Sequence, residues 1–326
     1  MRKSAQSETR KEKKKRKLKA SISTFLIVTM MVAGWYIMMF PTAADLLNKI
    51  YNQNSIMSYN NTMMNYSDED IAAAFAKTRA YNETIFEEQQ TREFHYRGPN
   101  ATGEDYMGVP TRSQEIGSLR IPSIDVNVAI GHGTGDNMLQ AEVGHLYGTS
   151  IPIDGKNVHA VIAGHSALST AELFTDLNKV EEGDKFYVTI LNKEFEYKVD
   201  EINVMLPEDD FKYEQIVPGK NYATLYTCTP YGVNTHRLLV RGELIGSKEV
   251  ALSNKGFNLT EFLPVLKNSV LLAFVILLPF ILMLVYSIYC RYDAKKKSKK
   301  PRNKSDAAIS ESSKTDIYNK ESNNTP

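Results

Sequence analysis

The sequence predicts a mainly β protein: a closed β-barrel with short helices, preceded by an N-terminal helical segment and flanked by two transmembrane helices. Three observations carry this. Two uncharged apolar runs, residues 20–40 and 268–290, each match the ~20 residues that a helix needs to cross a bilayer. Between them, residues 117–244 break into short β-branched or alternating runs separated by Gly, Pro and Asn. Few stretches in that region keep a helical period, so the strands must bury their faces against one another in a closed or nearly closed sheet.

Charge sets the orientation of the two apolar runs. The net charge of +1 says nothing about partners, but residues 1–19 hold ten Lys or Arg against two Glu, and residues 291–304 hold eight against one Asp. Each basic block abuts an apolar run, and the positive-inside rule places both in the cytoplasm. The middle, 41–267, then lies outside. Trp35 and Tyr36 suit an interfacial belt, and Pro279 inside the second run is tolerated as it is in membrane helices. A retained anchor is favoured over a cleaved signal, because the first run exceeds a usual signal h-region and Pro41-Thr42-Ala43-Ala44 is a weak cleavage site.

After the anchor, Leu46, Leu47, Ile50 and Ile56 have roughly helical spacing until Asn60-Asn61 interrupts them. A second helix is better marked: Ser67 caps it with Asp70 three residues on, and Ile71, Ala74, Phe75, Thr78, Tyr81 and Ile85 follow the 3.6 period to about Gln90. Together they read as a helical stalk, or alternatively as the first helices of the globular domain. Residues 97–106 are loop by composition. Short strands are expected at 117–121, 126–130 and 158–163. A hairpin spans 185–191 and 195–205, and two further strands cover 221–228 and 236–244. Short helices are expected at 137–142 and, capped by Ser169 or Thr170, on Ala171, Leu173, Phe174 and Leu177. The tail after Arg302 is polar and Ser/Asn-rich, the composition of disorder.

The chain has two cysteines. Cys290 ends the second apolar run on the cytoplasmic side, which leaves Cys228 alone outside with no partner for a disulfide. A lone external thiol is buried and inert, paired between chains, or reactive. A reactive one needs a base, and histidine is the usual partner. Acyl transfer also develops a negative oxygen that a fixed cation can stabilise. Of the six histidines, His165 ends an apolar strand and runs into loop residues, where a side chain can enter a cleft. His145 is less clearly at a strand end. His236 adjoins Arg237, and consecutive strand residues face opposite sides, so only one of the two can face Cys228. By themselves a buried cysteine, a strand arginine and a lone histidine are more often structural.

The run Thr224-Leu225-Tyr226-Thr227-Cys228, the downstream Arg237 and the upstream Gly164-His165 resemble the signature of the sortase family, cell-surface cysteine transpeptidases of Gram-positive bacteria. The segment from Thr227 through Pro230-Tyr231-Gly232-Val233-Asn234-Thr235-His236-Arg237 to Val240 is similar to the class C, pilin-polymerising branch. So are Gly144-His145-Leu146-Tyr147-Gly148-Thr149-Ser150 and Leu173-Phe174-Thr175-Asp176-Leu177. The resemblance covers about residues 115–246, and a second membrane helix is a further class C trait.

The resemblance implies roles. Cys228 is the nucleophile on the Thr-Gly bond of an LPXTG-like sorting signal, His165 its acid/base partner, and Arg237 the group that holds the peptide and stabilises the oxyanion. A pilin lysine resolves the acyl-enzyme, and no metal or organic cofactor is needed. The expected partners are pilins or surface proteins with such a signal, in a membrane-embedded enzyme with no nucleic-acid partner. The alternatives are a sortase that attaches surface proteins to cell-wall precursor, or a non-catalytic membrane-tethered domain. The lid that class C enzymes carry ahead of the barrel has an Asp-Pro-aromatic motif. Here 97–109 departs from it, with Asp105-Tyr106 lacking the proline. The expected partition is a basic cytoplasmic tail at 1–19, a transmembrane helix at 20–40, and a helical stalk with lid loop at 41–110. The catalytic barrel follows at 111–248, then a linker at 249–267, the second transmembrane helix at 268–290 and a cytoplasmic tail at 291–326.

Overall fold

The alternating and β-branched runs form eight strands that close on themselves. In the computed structural model, which describes residues 2–91 and 104–252 and scattered helical positions between 277 and 288, these are β1 (Glu115–Ile121), β2 (Val126–His132), β3 (Val143–His145), β4 (Val158–Ala163), β5 (Lys185–Ile190), β6 (Lys193–Met205), β7 (Asn221–Thr229) and β8 (His236–Glu249). Their order around the barrel is β1-β2-β3-β4-β7-β8-β6-β5. Most pairs are antiparallel, but β2 pairs β3 and β4 pairs β7 in parallel. The period-two faces explain the core. Leu119, Ile130, Ile162, Val188, Phe195, Leu225 and Val240 are buried inside, and the rings of Phe186 and Tyr197 stack at 5.2 Å. The β5–β6 hairpin turns in two residues, with Leu191 in the left-handed region at φ 55°.

Two helical expectations change. The first apolar run and the segment after it form one helix, α1 (Arg2–Met64), continuous through Pro41 and Asn60-Asn61. Around Asn60-Asn61 a packed face holds it together where local propensity alone would break it. Asn48, Asn52, Ser55, Tyr59 and Met63 recur every three or four residues on one stripe, and the stripe lies on the barrel. Asn52 Nδ2 donates to the Ala141 carbonyl at 2.7 Å, and Asn52 Oδ1 accepts from the Ala129 N–H at 3.0 Å. The Tyr59 hydroxyl donates to the Ile116 carbonyl and accepts from the Leu191 N–H. The second helix, α2 (Asp68–Thr91), starts at the expected capping box. The Asp70 N–H donates to Ser67 Oγ at 3.1 Å, and the Ser67 N–H donates back to the Asp70 carboxylate at 3.0 Å. Ile71, Ala74 and Phe75 join the barrel core, and Asn82 is bonded to both the N–H and the carbonyl of Ile151. Over residues 45–91 these helices pack on the barrel as first elements of the globular domain, the alternative to a free-standing stalk.

A second correction concerns the segment after His165. No α-helix forms on Ala171, Leu173, Phe174 and Leu177. Turns cover it, with Ala167 and Leu173 at positive φ and a single 3-10 turn at Leu177–Lys179. All four residues are nonetheless buried, so their spacing recorded burial by a loop. The short helix at 137–142 does appear, as α4 (Asp136–Leu139).

Among the described residues one helix is long and apolar enough to cross a membrane, over Leu26–Met64. The second predicted span, 268–290, lies outside the described residues except for scattered positions, as do the polar tail and residues 97–103 of the expected lid. The chain divides into two compact units, Met1–Asn258 and Leu259–Pro326.

Candidate active site

Register brings the three singled-out residues to one end of the barrel. In the antiparallel β7–β8 pair, Cys228 lies directly opposite Arg237, so the two side chains share one face of the sheet. His236 pairs with Thr229 and falls on the other face. In the parallel β4–β7 pair, Ala163 matches Tyr226. Beyond that pair, Gly164-His165 leaves β4 alongside Thr227-Cys228, which are still within β7. Three hydrogen bonds hold them there. The Gly164 N–H donates to the Tyr226 carbonyl at 3.0 Å, buried Thr227 Oγ1 donates to the Gly164 carbonyl at 2.7 Å, and Ser166 Oγ donates to the Cys228 carbonyl at 2.6 Å. His165 sits between the two residues that are tied to the cysteine strand.

Gly164 is required by space. A Cβ there would come within 2.7 Å of the Phe174 ring and 2.9 Å of Val143. The loop after His165 folds back through that contact, and the Phe174 N–H donates to the His165 carbonyl at 3.1 Å. Phe174, Thr175 and Ser166 then line a cavity of about 30 Å³ beside Cys228, with Tyr231 on its rim. Cys228 is a free thiol and half-buried, as is His165. The Arg237 guanidinium is aimed by neighbours: Nε donates to the Tyr226 hydroxyl at 2.9 Å, and Nη1 lies 3.3 Å from the carbonyls of Asn234 and His236.

The other histidines are structural in geometry. His145 is wholly buried, with Nε2 at 2.8 Å from the Ser150 carbonyl and Nδ1 at 3.0 Å from the Tyr106 hydroxyl; burial pushes its pKa down to about 4. His159 bridges the Gln215 carbonyl and Thr224 Oγ1, both at 2.8 Å, and burial likewise pushes it down to about 4. His132 lies between the main-chain carbonyls of Gln114 and Val109. His95 is outside the described residues.

In the described part of the expected lid, residues 104–109, α3 (Glu104–Met107) carries Tyr106. Its ring is buried against His132, His145 and Tyr147, and its hydroxyl accepts from the Gly133 N–H. It is an anchor on β3, and among the described side chains of this stretch, 106–109, none lines the Cys228 cavity. Sequence reasoning missed Tyr226, Thr227 and Ser166. Tyr226 was accessible from the period of two, which puts it on the Cys228 face. Thr227 and Ser166 gave no signal beyond adjacency.

A family model described as the sortase domain matches residues 119–245. Among solved structures, sortase C1 from Streptococcus agalactiae is 37% identical with a TM-score of 0.54, over 59% of this chain and 98% of that one. Sortase C of Streptococcus pneumoniae is 36% identical with a TM-score of 0.53, over 59% of this chain and 96% of its own. The chain belongs to the sortase family, class C. Members of this family are cysteine transpeptidases. Curated sortases match at greater distance: sortase A of Listeria monocytogenes is 33% identical over 44% of this chain and 63% of its own length, and sortase A of Bacillus anthracis 29% over 42% and 63%. The chain thus spans 63% of the length of these curated relatives. The matched sortase domain contains Gly164-His165, the Cys228 strand and Arg237, and it ends within β8.

Proposed function

We propose that this sortase is a cysteine transpeptidase that cleaves an LPXTG-like sorting signal between Thr and Gly and passes the acyl group to a pilin lysine, polymerising pili. The observation that carries it is the cross-strand pairing of Cys228 with Arg237 beside the Gly164-His165 end of β4. The neighbours titled sortase C1 of a pilus island and a sortase C with pilin substrate specificity support the pilus assignment.

The steps follow from these groups. The Cys228 thiolate attacks the threonine carbonyl carbon, and Arg237 stabilises the oxygen that becomes negative. The C–N bond to glycine breaks as the imidazolium of His165 gives its proton to the leaving amine, leaving a thioester on Cys228. The lysine amine then attacks that thioester and returns a proton to His165. An isopeptide bond forms and the thiolate is regenerated. The proposal includes two membrane spans, with both termini cytoplasmic and the barrel outside.

Incubating the full-length protein with a shaft pilin tests it. Covalent high-molecular-weight ladders should form with the native protein and vanish with Cys228→Ala. Ladders that persist in Cys228→Ala would sink the assignment. Attachment to cell-wall precursor is the competing outcome, favoured by the similarity to sortases named A. Offering a peptidoglycan-like amine against a pilin lysine separates the two.

A further inference from the structure

The membrane-crossing stretch and the barrel are joined without a linker. α1 leaves its exposed apolar stretch, with Ile37 71% and Phe40 45% exposed, and becomes bonded to the globular domain within a few residues. Asp45 Oδ1 accepts the Glu172 N–H at 3.0 Å, and Lys49 bridges Asp45 at 3.1 Å and Glu172 at 3.2 Å. Glu172 belongs to the loop between His165 and Leu177, two residues before Phe174 on the wall of the Cys228 cavity. Further contacts follow at nearly every turn: Asn48 to the Ala141 carbonyl at 2.9 Å, Asn52 to Ala141 and Ala129, and Tyr59 to Ile116 and Leu191.

The end of the barrel that meets α1 first is therefore the end that carries the site. From Phe40 to Asp45 an α-helix rises only about 8 Å. A single ion pair at an exposed surface holds little, but a stripe of amide and hydroxyl bonds from Asn48 to Tyr59, about three turns, fastens α1 to the barrel.

We propose that α1 is a rigid ruler: it fixes the height of the Cys228 site just above the bilayer, so that the enzyme takes scissile peptides held close to the membrane surface. The chemistry rests on the transpeptidase reading above, whereas the ruler concerns only where that chemistry is available. It makes Asp45 and Asn52 positioning residues that act on the location of the site.

The test uses the full chain in liposomes and one LPXTG-like peptide in three forms. One form is free, one is lipid-tethered through a spacer of about five residues reaching at most about 17 Å, and one carries a spacer of about 30 residues. The variant inserts about seven helix-forming residues between Pro41 and Thr42, lifting the barrel by about 10 Å over two turns. Turnover of the short-spacer peptide should fall roughly tenfold as its effective concentration at the site collapses, while the long-spacer and free peptides are unaffected. Unchanged short-spacer turnover overturns the ruler. So does an equal loss for all three peptides, because the insertion would then act on the fold. Failure of the native protein to cleave even the free peptide defeats the transpeptidase reading instead.

Discussion

The seam between α1 and the barrel and the β7–β8 edge are both built from polar groups on regular elements, yet they are held differently. At the seam, Asn52 is fully buried and its amide is used at both ends, by Ala141 and Ala129. Tyr59 likewise donates and accepts through one hydroxyl. At the edge, Cys228 and Arg237 are half-buried, and Arg237 rests on a hydroxyl and two carbonyls at 2.9–3.3 Å. Bonds of the first kind cannot be exchanged without exposing a buried group, which costs about 1–3 kcal/mol per group. Bonds of the second kind can be traded for a ligand's carbonyl at little cost. Structure is stored in the seam and binding capacity in the edge.

The largest effects should separate the two regions cleanly. Arg237→Ala is expected to lower kcat by about 100- to 1000-fold, as loss of an oxyanion donor does, with the thermal midpoint nearly unmoved. Asn52→Ala should do the reverse, removing about 2–3 kcal/mol of stability and leaving turnover per folded molecule intact. Thermal melts and active-site-titrated kinetics on both variants check this; a stability loss in Arg237→Ala equal to that in Asn52→Ala would erase the distinction.

Next in size is the response to acid. His145 and His159 are held neutral with pKa values pushed down to about 4 by burial, against an ordinary 6.5. The unfolded chain therefore binds protons that the folded one refuses. Stability from each is fully present above about pH 6.5 and drains as pH falls toward 4, at up to about 1.4 kcal/mol per pH unit for each histidine. Urea midpoints measured from pH 7 to 4.5 should fall accordingly, and His159→Gln should flatten part of that slope. A midpoint flat over this range would contradict the buried bonding of both rings. The smallest effect belongs to Tyr226→Phe. It removes one bond to Arg237 Nε and should cost only about threefold to tenfold in kcat/KM, equivalent to roughly 0.7–1.4 kcal/mol.

The barrel was legible because strand faces print their burial on the chain. The alternation from Lys185 to Met205 gave the β5–β6 hairpin, and the β-branched run before Gly164 gave β4. β3 was not legible: three residues, one of them glycine, are too few for a period. The false helix around Leu173 shows the opposite error, since buried residues in a tightly folded loop mimic a helical spacing. α1 was read as interrupted because Asn60-Asn61 carries a local breaking signal, while the packing of Tyr59 and Met63 that overrides it comes from residues distant in sequence. At the site, Cys228 and Arg237 are placed opposite each other by a register that the short Pro230–Thr235 connection made accessible. The supports Ser166 and Thr227 depend on parallel β4–β7 pairing, which no local pattern encodes.

The closure of the sheet has a further bearing. An open sheet would present rows of unpaired N–H and carbonyl groups to its neighbours and invite strand exchange between copies. With β1 joined to both β2 and β5, each of the eight strands has a neighbour on both sides. A barrel closed in this way has itself no free strand edge to offer.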